Sequence, residues 1–264
     1  MSEFRSVQGK VAIITGSAGG LGKGMAIQLA EEGVTVVLAD ISPKVEEAFQ
    51  DVLEKAPENK GFARIVDVSK ETEVENLVND VVQKFGKLDI MVNNAGIAHN
   101  DITVMETSEE LIDKIMAVNF KGIFFGCKHA GNQMMQQKSG TIVNTGSFFG
   151  KVGHETAALY GASKGAVHTL TQSLSLELAR YNVNVNALCP GLGGTDMHWG
   201  FVEREAQAKG VTFEEIKQQE LDSIPLGRFG YGHDFAGAIM WLASQSGSYV
   251  TGQLININGG LDFS

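Results

Sequence analysis

Apolar positions along the chain fall into short β-rich runs, each followed by a stretch of helical periodicity. Residues 11–15 form the first run, and Met25, Leu29 and Ala30 give a helical stripe behind it. Further strands are predicted at 35–39, ending at Asp40, and at 62–66, ending at Asp67. Val74, Leu77, Val78, Val81 and Phe85 share one helix face, with Ser69 as its expected cap. Residues 88–92 give a fourth strand, 108–137 one long helix, and 141–145 a fifth strand. A helix from about Ala157 continues through Val167, Leu170, Leu174 and Leu178. Residues 183–188, 234–244 and 253–257 complete the series as strand, helix and strand. Residues 198–224 break the pattern: they are charged and irregular, with amphipathic pieces around Phe201 and Ile216, and read as a flap inserted at about 197–225. Strand–helix alternation predicts one α/β domain, a doubly wound parallel sheet of about seven strands with helices on both faces. Ligands of such a sheet sit at the carboxyl ends of the strands.

Those ends carry the polar signals. TGSAGGLG, residues 15–22, joins the first strand to the first helix. Backbone amides and the helix dipole there can hold a pyrophosphate, with Gly16, Gly20 and Gly22 permitting the tight turn; a plain βα turn is the other reading. Asp40 lies about 20 residues on, where an acid accepts hydrogen bonds from ribose hydroxyls and repels a 2′-phosphate. Ser17, Ala18, Ile41 and Ser42 supply no cation, although Lys23 and Lys44 are near, so NAD is favoured over NADP. Asp40 also suits a helix N-cap or turn. NNAG, residues 93–96, follows the fourth strand, and Asn93 suits structural support as well as cofactor contact.

Ser147 ends the fifth strand, and Tyr160 and Lys164 share a helix face one turn apart. A tyrosine ionises near ~10. A lysine cation lowers that value, and a tuned phenol then exchanges a proton with an alcohol or carbonyl oxygen while serine donates to the same oxygen. Alone, a tyrosine and a lysine at this spacing also describe an ordinary solvated pair. The trio supplies half of an alcohol–ketone interconversion; the hydride needs a cofactor.

The chain has 264 residues, 43% apolar and 20% charged, which implies a folded core. Its formal charge of −10 disfavours nucleic acid and anionic membrane as partners. Cys127 and Cys189 read as buried reduced thiols, and with no apolar h-region in MSEFRSVQGK the expected location is cytoplasmic. No histidine pair has metal-ligand spacing, so no catalytic metal is expected.

TGSAGGLG, NNAG, Asn119, Ser147, Y-x-x-x-K at 160–164 and PGLGGTDM at 190–197, in this order, resemble the short-chain dehydrogenase/reductase family over about 10–260. The resemblance implies a single-domain Rossmann fold. It makes Tyr160 the general acid/base and has Lys164 bind nicotinamide-ribose hydroxyls and lower the tyrosine pKa. Ser147 would orient the substrate oxygen, and Asn119 would hold a water in a proton relay. Gly16, Ser17, Gly20, Leu21, Gly22, Asp40 and Ile41 would line the cofactor, as would Asp67, Val68, Asn94, Ala95 and Gly96. Pro190, Gly191, Gly193 and Thr195 would embrace the nicotinamide end. The family implies a homotetramer or homodimer. The flap length and its T-D-M-H-W opening look most like acetoin reductases and butanediol and polyol dehydrogenases, which makes a polyol, sugar alcohol or vicinal diol the expected substrate. A 3-oxoacyl-thioester reductase using NADPH and a non-catalytic dinucleotide-binding scaffold are the alternatives. His99, Phe148, Phe149, His154, Glu155 and Trp199 would face the substrate. Each histidine also suits a solvated or structural role.

Overall fold

A computed structural model describes residues 6–98 and 102–264, and His99 lies outside them. Seven parallel strands form one sheet in the order β3-β2-β1-β4-β5-β6-β7. They are β1 (Val11–Thr15), β2 (Thr35–Asp40), β3 (Phe62–Ile65), β4 (Ile90–Asn93), β5 (Gly140–Thr145), β6 (Val183–Pro190) and β7 (Leu254–Ile257). The chain reverses its direction of travel across the sheet between β1 and β4, which opens a crevice at their carboxyl ends.

The strands are apolar on both sides, as a sheet covered on both faces requires. Ala12 and Ile14 of β1 point to the face covered by α1 (Gly20–Glu31), α2 (Val45–Lys55) and α9 (Gly232–Ala243). Val11 and Ile13 point to the opposite face, under α3 (Glu71–Phe85), α5 (Ile123–Gln137) and α6 (Ala158–Leu178). This period-2 division fixes register, because a slip of one residue would exchange the two faces.

Three local expectations change. Ser69 does not cap α3: Lys70 takes that position, and the Ser69 hydroxyl donates to Asp67 Oδ1 at 2.7 Å. The long helix is not uniform. It runs as α4 (Glu109–Met116), a π-helical turn over Ala117–Gly122, and α5. A π turn inserts one extra residue per turn and re-aims the side chains within it; here it carries Asn119 inward, fully buried. The flap is helical rather than irregular. It forms α7 (Asp196–Lys209) and α8 (Phe213–Ser223) around a small core of Val202, Ala206 and Ile216. Thr195 caps α7, and a reciprocal Thr212–Glu215 capping box starts α8.

Candidate active site

The glycine loop leaves β1 where the chain has least room. A Cβ on Gly16 would stand 2.6 Å from Ala95 Cα, and its φ of +66° is a conformation that side chains disfavour. A Cβ on Gly22 would strike the Gly16 carbonyl and come within 2.7 Å of the Asn94 amide. Glycine therefore lets the loop, the start of α1 and NNAG close on one another. Asn94 binds them: its Nδ2 donates to the carbonyls of Thr15 (3.0 Å) and Gly16 (2.9 Å), and its Oδ1 accepts from the Thr145 hydroxyl (3.3 Å). No side chain caps α1, so its first amides keep their donors for an anion.

Asp40 ends β2 beside this loop. Its Oδ2 accepts from the Ala18 amide (3.0 Å) and its Oδ1 from the Ser42 amide (2.9 Å). The carboxylate thus closes a turn and stays at the crevice wall, with Ile41 exposed next to it. Lys23 pairs with Asp51, and Lys44 is exposed. Buried Ser17 is structural: its hydroxyl donates to the Ile14 carbonyl and accepts from the Ala39 amide. Asp67 also folds onto its own turn through Ser69, and Val68 packs where a Cβ on Gly122 would intrude. The far end of the crevice meets the glycine loop directly. Thr195 Cγ2 lies 3.3 Å from the Cβ position of Gly20, and Leu21 reaches within 3.6 Å of that of Gly193. Gly191 backs against Asn258 and Pro190 ends β6 opposite Ile257. These residues make one cradle from Asp40 to Thr195, and its bare glycine backbone and free helix amides fit a dinucleotide.

Asn93 resolves toward support. It is buried, and its Nδ2 donates to Asn144 Oδ1 (2.9 Å), while Asn144 Nδ2 donates to the Thr171 hydroxyl (2.9 Å). The pair stands in register on β4 and β5 and ties the sheet to α6.

Asn119, Ser147, Tyr160 and Lys164 converge beside this cradle. Asn119 accepts from the Ile97 amide (2.8 Å) and donates to the Ile97 carbonyl (2.8 Å) and the Ser163 hydroxyl (3.1 Å). Ser163 in turn donates to the Tyr160 carbonyl (2.7 Å). Sequence reasoning passed over Ser163, whose only sign is its place inside the Y-x-x-x-K segment. Lys164 is 2% exposed, and its Nζ donates to the Thr145 carbonyl at 2.8 Å. Gly96 separates it from Asn119: its Cβ position is 3.4 Å from Asn119 Oδ1 and 3.5 Å from Lys164 Nζ.

The expected fall in the Tyr160 pKa does not occur in the protein alone. Burial pushes the phenol up to about 12, and a hydrogen bond with Ser147 offsets only part of this. The lysine does not counter the burial. Its Nζ is 5.7 Å from the Tyr160 ring centroid and bound to a backbone carbonyl, and burial pushes its own pKa down to about 8. At neutral pH the phenol is a proton donor rather than a phenolate.

Beside Tyr160, the Phe149 ring stands edge-on to Tyr160 (6.4 Å) and to His154 (5.1 Å), and against Phe148 (4.1 Å). Glu155 is exposed nearby in sequence, as is His154. The Trp199 ring packs on Phe229 (4.9 Å), His198 (5.3 Å) and Phe213 (6.0 Å), between the flap helices and the chain that follows them. Both cysteines are free and buried. Among the described residues, no group of three His, Cys, Asp or Glu side chains could hold a metal, and no helix is long and apolar enough to cross a membrane.

A family model described as enoyl-(acyl carrier protein) reductase matches residues 16–262. The chain is 41% identical to a diacetyl reductase [(S)-acetoin forming] of Staphylococcus epidermidis, over 96% of this chain and 98% of that one. It is 37% identical, with the same coverage, to a 3-oxoacyl-[acyl-carrier-protein] reductase of Staphylococcus aureus. A solved NAD+-bound xylitol dehydrogenase superposes with a TM-score of 0.89 at 35% identity, covering 96% of this chain and 99% of that one. The chain belongs to the short-chain dehydrogenase/reductase family, and its chemistry is that of an oxidoreductase.

Proposed function

We propose that the protein is an NAD-dependent reductase and dehydrogenase that interconverts a small ketone and its secondary alcohol, with a vicinal diol, sugar alcohol or other polyol on the alcohol side. The observation that carries this reading is the shared rim. The protonated Tyr160 phenol, the Ser147 hydroxyl and the Lys164 amine lie within one turn of α6 and the end of β5, beside the glycine cradle. In the reducing direction Tyr160 gives its proton to the carbonyl oxygen while Ser147 donates a hydrogen bond to it. In the oxidising direction the same phenol oxygen receives the proton back. A nicotinamide dinucleotide bound in the cradle supplies or accepts the hydride. Lys164, titrating near pH 8, exchanges protons close to neutrality, and Asn119 holds Ser163 and the Ile97 backbone around it.

Asp40 supports NAD, since an acid at the end of β2 repels a 2′-phosphate, and among the described residues the nearby-in-sequence Lys23 is paired with Asp51. The diacetyl reductase and xylitol dehydrogenase likenesses support a small oxygenated substrate. The likeness to a 3-oxoacyl reductase favours a second reading, an acyl-thioester reductase using NADPH. The net charge of −10 argues against it, because an acidic carrier needs a basic entrance.

Absorbance at 340 nm separates the two. Purified protein is offered NADH or NADPH with diacetyl, acetoin, ketoses and a 3-oxoacyl thioester, and NAD with the corresponding diols and polyols. Turnover of small ketones or diols with NAD(H) is expected. Turnover confined to NADPH and the thioester would establish the second reading. Dinucleotide binding without turnover of any compound would make the protein a scaffold.

A further inference from the structure

Behind Ser147 lies a buried imidazole that the chemistry above does not use. His168 stands on α6 one turn beyond Lys164, on the same helix face and 5% exposed. Its Nε2 accepts from the Ser147 backbone amide at 3.5 Å and lies 3.4 Å from Cys189 Sγ. Two glycines bracket the serine where the ring enters. A Cβ on Gly146 would stand 2.5 Å from His168 Nε2, and one on Gly150 would stand 2.6 Å from its Cε1. Neither glycine has a positive φ, so the backbone conformation does not demand glycine there. Close approach of the ring does. The 146–150 turn is therefore wrapped on the imidazole, and within it the Ser147 hydroxyl accepts from the Phe149 amide (3.2 Å).

We propose that His168 is a positioning residue: its neutral imidazole seats the 146–150 turn and thereby aims the Ser147 hydroxyl at the substrate oxygen. The catalytic half of this statement rests on the ketone–alcohol reading above. Accepting from the Ser147 amide requires Nε2 to be unprotonated, which places the ring proton on Nδ1. Burial, with the nearby Lys151 and Lys164 charges, holds the ring neutral by pushing its pKa down to about 4, against a hydrogen bond with the Gly150 backbone that favours the cation. The neutral acceptor state is thus the one present at neutral pH.

The test uses His168→Leu, which fills the space without an acceptor, and His168→Gln, whose carbonyl can take the place of Nε2. Deuterium uptake of the peptide spanning 145–152 reads the seating alone and needs no activity. Uptake is expected to rise in His168→Leu and to stay near wild type in His168→Gln; equal uptake in all three proteins overturns the proposal. With an active substrate in hand, kcat is expected to fall about tenfold or more in His168→Leu, equivalent to about 1.4 kcal/mol, with the Kd for NADH within about twofold. A Ser147→Ala background then separates positioning from general damage. If His168 acts through Ser147, His168→Leu costs no further activity there, whereas a full additional loss overturns the proposal. Should His168→Leu fail to fold, His168→Asn, too short to reach the Nε2 position, replaces it with the same expected order. An enzyme inactive on every substrate would refute the ketone–alcohol reading and leave the uptake experiment to decide the seating.

Discussion

The Lys164 amine donates to the Thr145 carbonyl, 2.8 Å away, while the ring of Tyr160 on the preceding turn is centred 5.7 Å from the same nitrogen. A helix side chain is thereby anchored to a strand end, and the buried cation is partnered by a dipole rather than by an anion. That arrangement costs stability in a pH-dependent way. Below about pH 8 the lysine is charged in both folded and unfolded chains, and the folded state bears the whole cost of burying the charge. Between about 8 and 10.5 the unfolded chain binds more protons, so stability rises with pH as this cost is removed. Lys164→Met is accordingly expected to gain most over wild type at pH 7, and the gain is expected to shrink by about 2–3 kcal/mol by pH 10. Urea unfolding of both proteins across that range checks it. A difference flat with pH would show that the lysine is not desolvated as its surroundings imply.

Replacing Tyr160 by Phe removes one oxygen and leaves the edge-on contact with Phe149 available. Turnover is expected to fall by roughly 10²–10⁴, the usual worth of a general acid. NADH affinity, followed by fluorescence, is expected to stay within about twofold of wild type. Because burial holds the phenol up at about 12, the reduction rate should not decline between pH 6 and 8 for want of a protonated tyrosine. Turnover preserved in Tyr160→Phe would remove the phenol from the chemistry.

The sheet was legible because parallel strands buried on both faces read as continuous apolar runs, and β1 was located to the residue. The position of Ser147 followed from where the fifth run ends, and those of Tyr160 and Lys164 from their spacing on the helix that follows. The π turn was not legible, since Ala117–Gly122 keeps the composition of an ordinary helix and its extra residue has no local signature. The flap helices were hidden for another reason. Trp199, Val202 and Ala206 form a stripe, but Glu203, Arg204 and Glu205 dilute it over the charged outer face. The burial that raises the Tyr160 pKa in the protein alone was not legible, because spacing along a helix gives proximity to a lysine but neither the phenol's burial nor where the lysine nitrogen is bound. His168 gave no signal at all: the glycines that admit it, Gly146 and Gly150, are distant in sequence.

On the proposed reading, one carboxylate sets the cofactor choice. Asp40 is held in place by the Ala18 and Ser42 amides, so it cannot swing aside for a 2′-phosphate without releasing both. Ile41 is 66% exposed beside it, so a cation placed there meets no steric obstacle. The double change Asp40→Ser with Ile41→Arg removes the repulsion and adds an attraction. Its NADPH-to-NADH preference, as a ratio of kcat/KM values, is expected to move by at least about tenfold toward NADPH, or about 1.4 kcal/mol. An unmoved ratio would place the discrimination elsewhere in the cradle.

Trp199 separates two accounts of the flap. Its ring is shared among Phe229, Phe213 and His198, and His198 Nε2 is tied to Glu220 Oε2 of α8 at 2.7 Å. The tryptophan therefore joins α7 to α8 and to the chain that returns to the sheet. Removing it should loosen the flap first. Trp199→Ala is expected to speed proteolytic cleavage within 196–223 severalfold and to raise KM for the ketone, while the Kd for NADH stays within about twofold. Trp199→Phe keeps an aromatic ring against Phe229 and should cleave at close to the wild-type rate. A raised KM in Trp199→Ala with unaltered proteolysis would mean that the indole touches substrate directly. A raised KM that tracks cleavage means that the flap must be folded before it can cover the Tyr160 rim and exclude water.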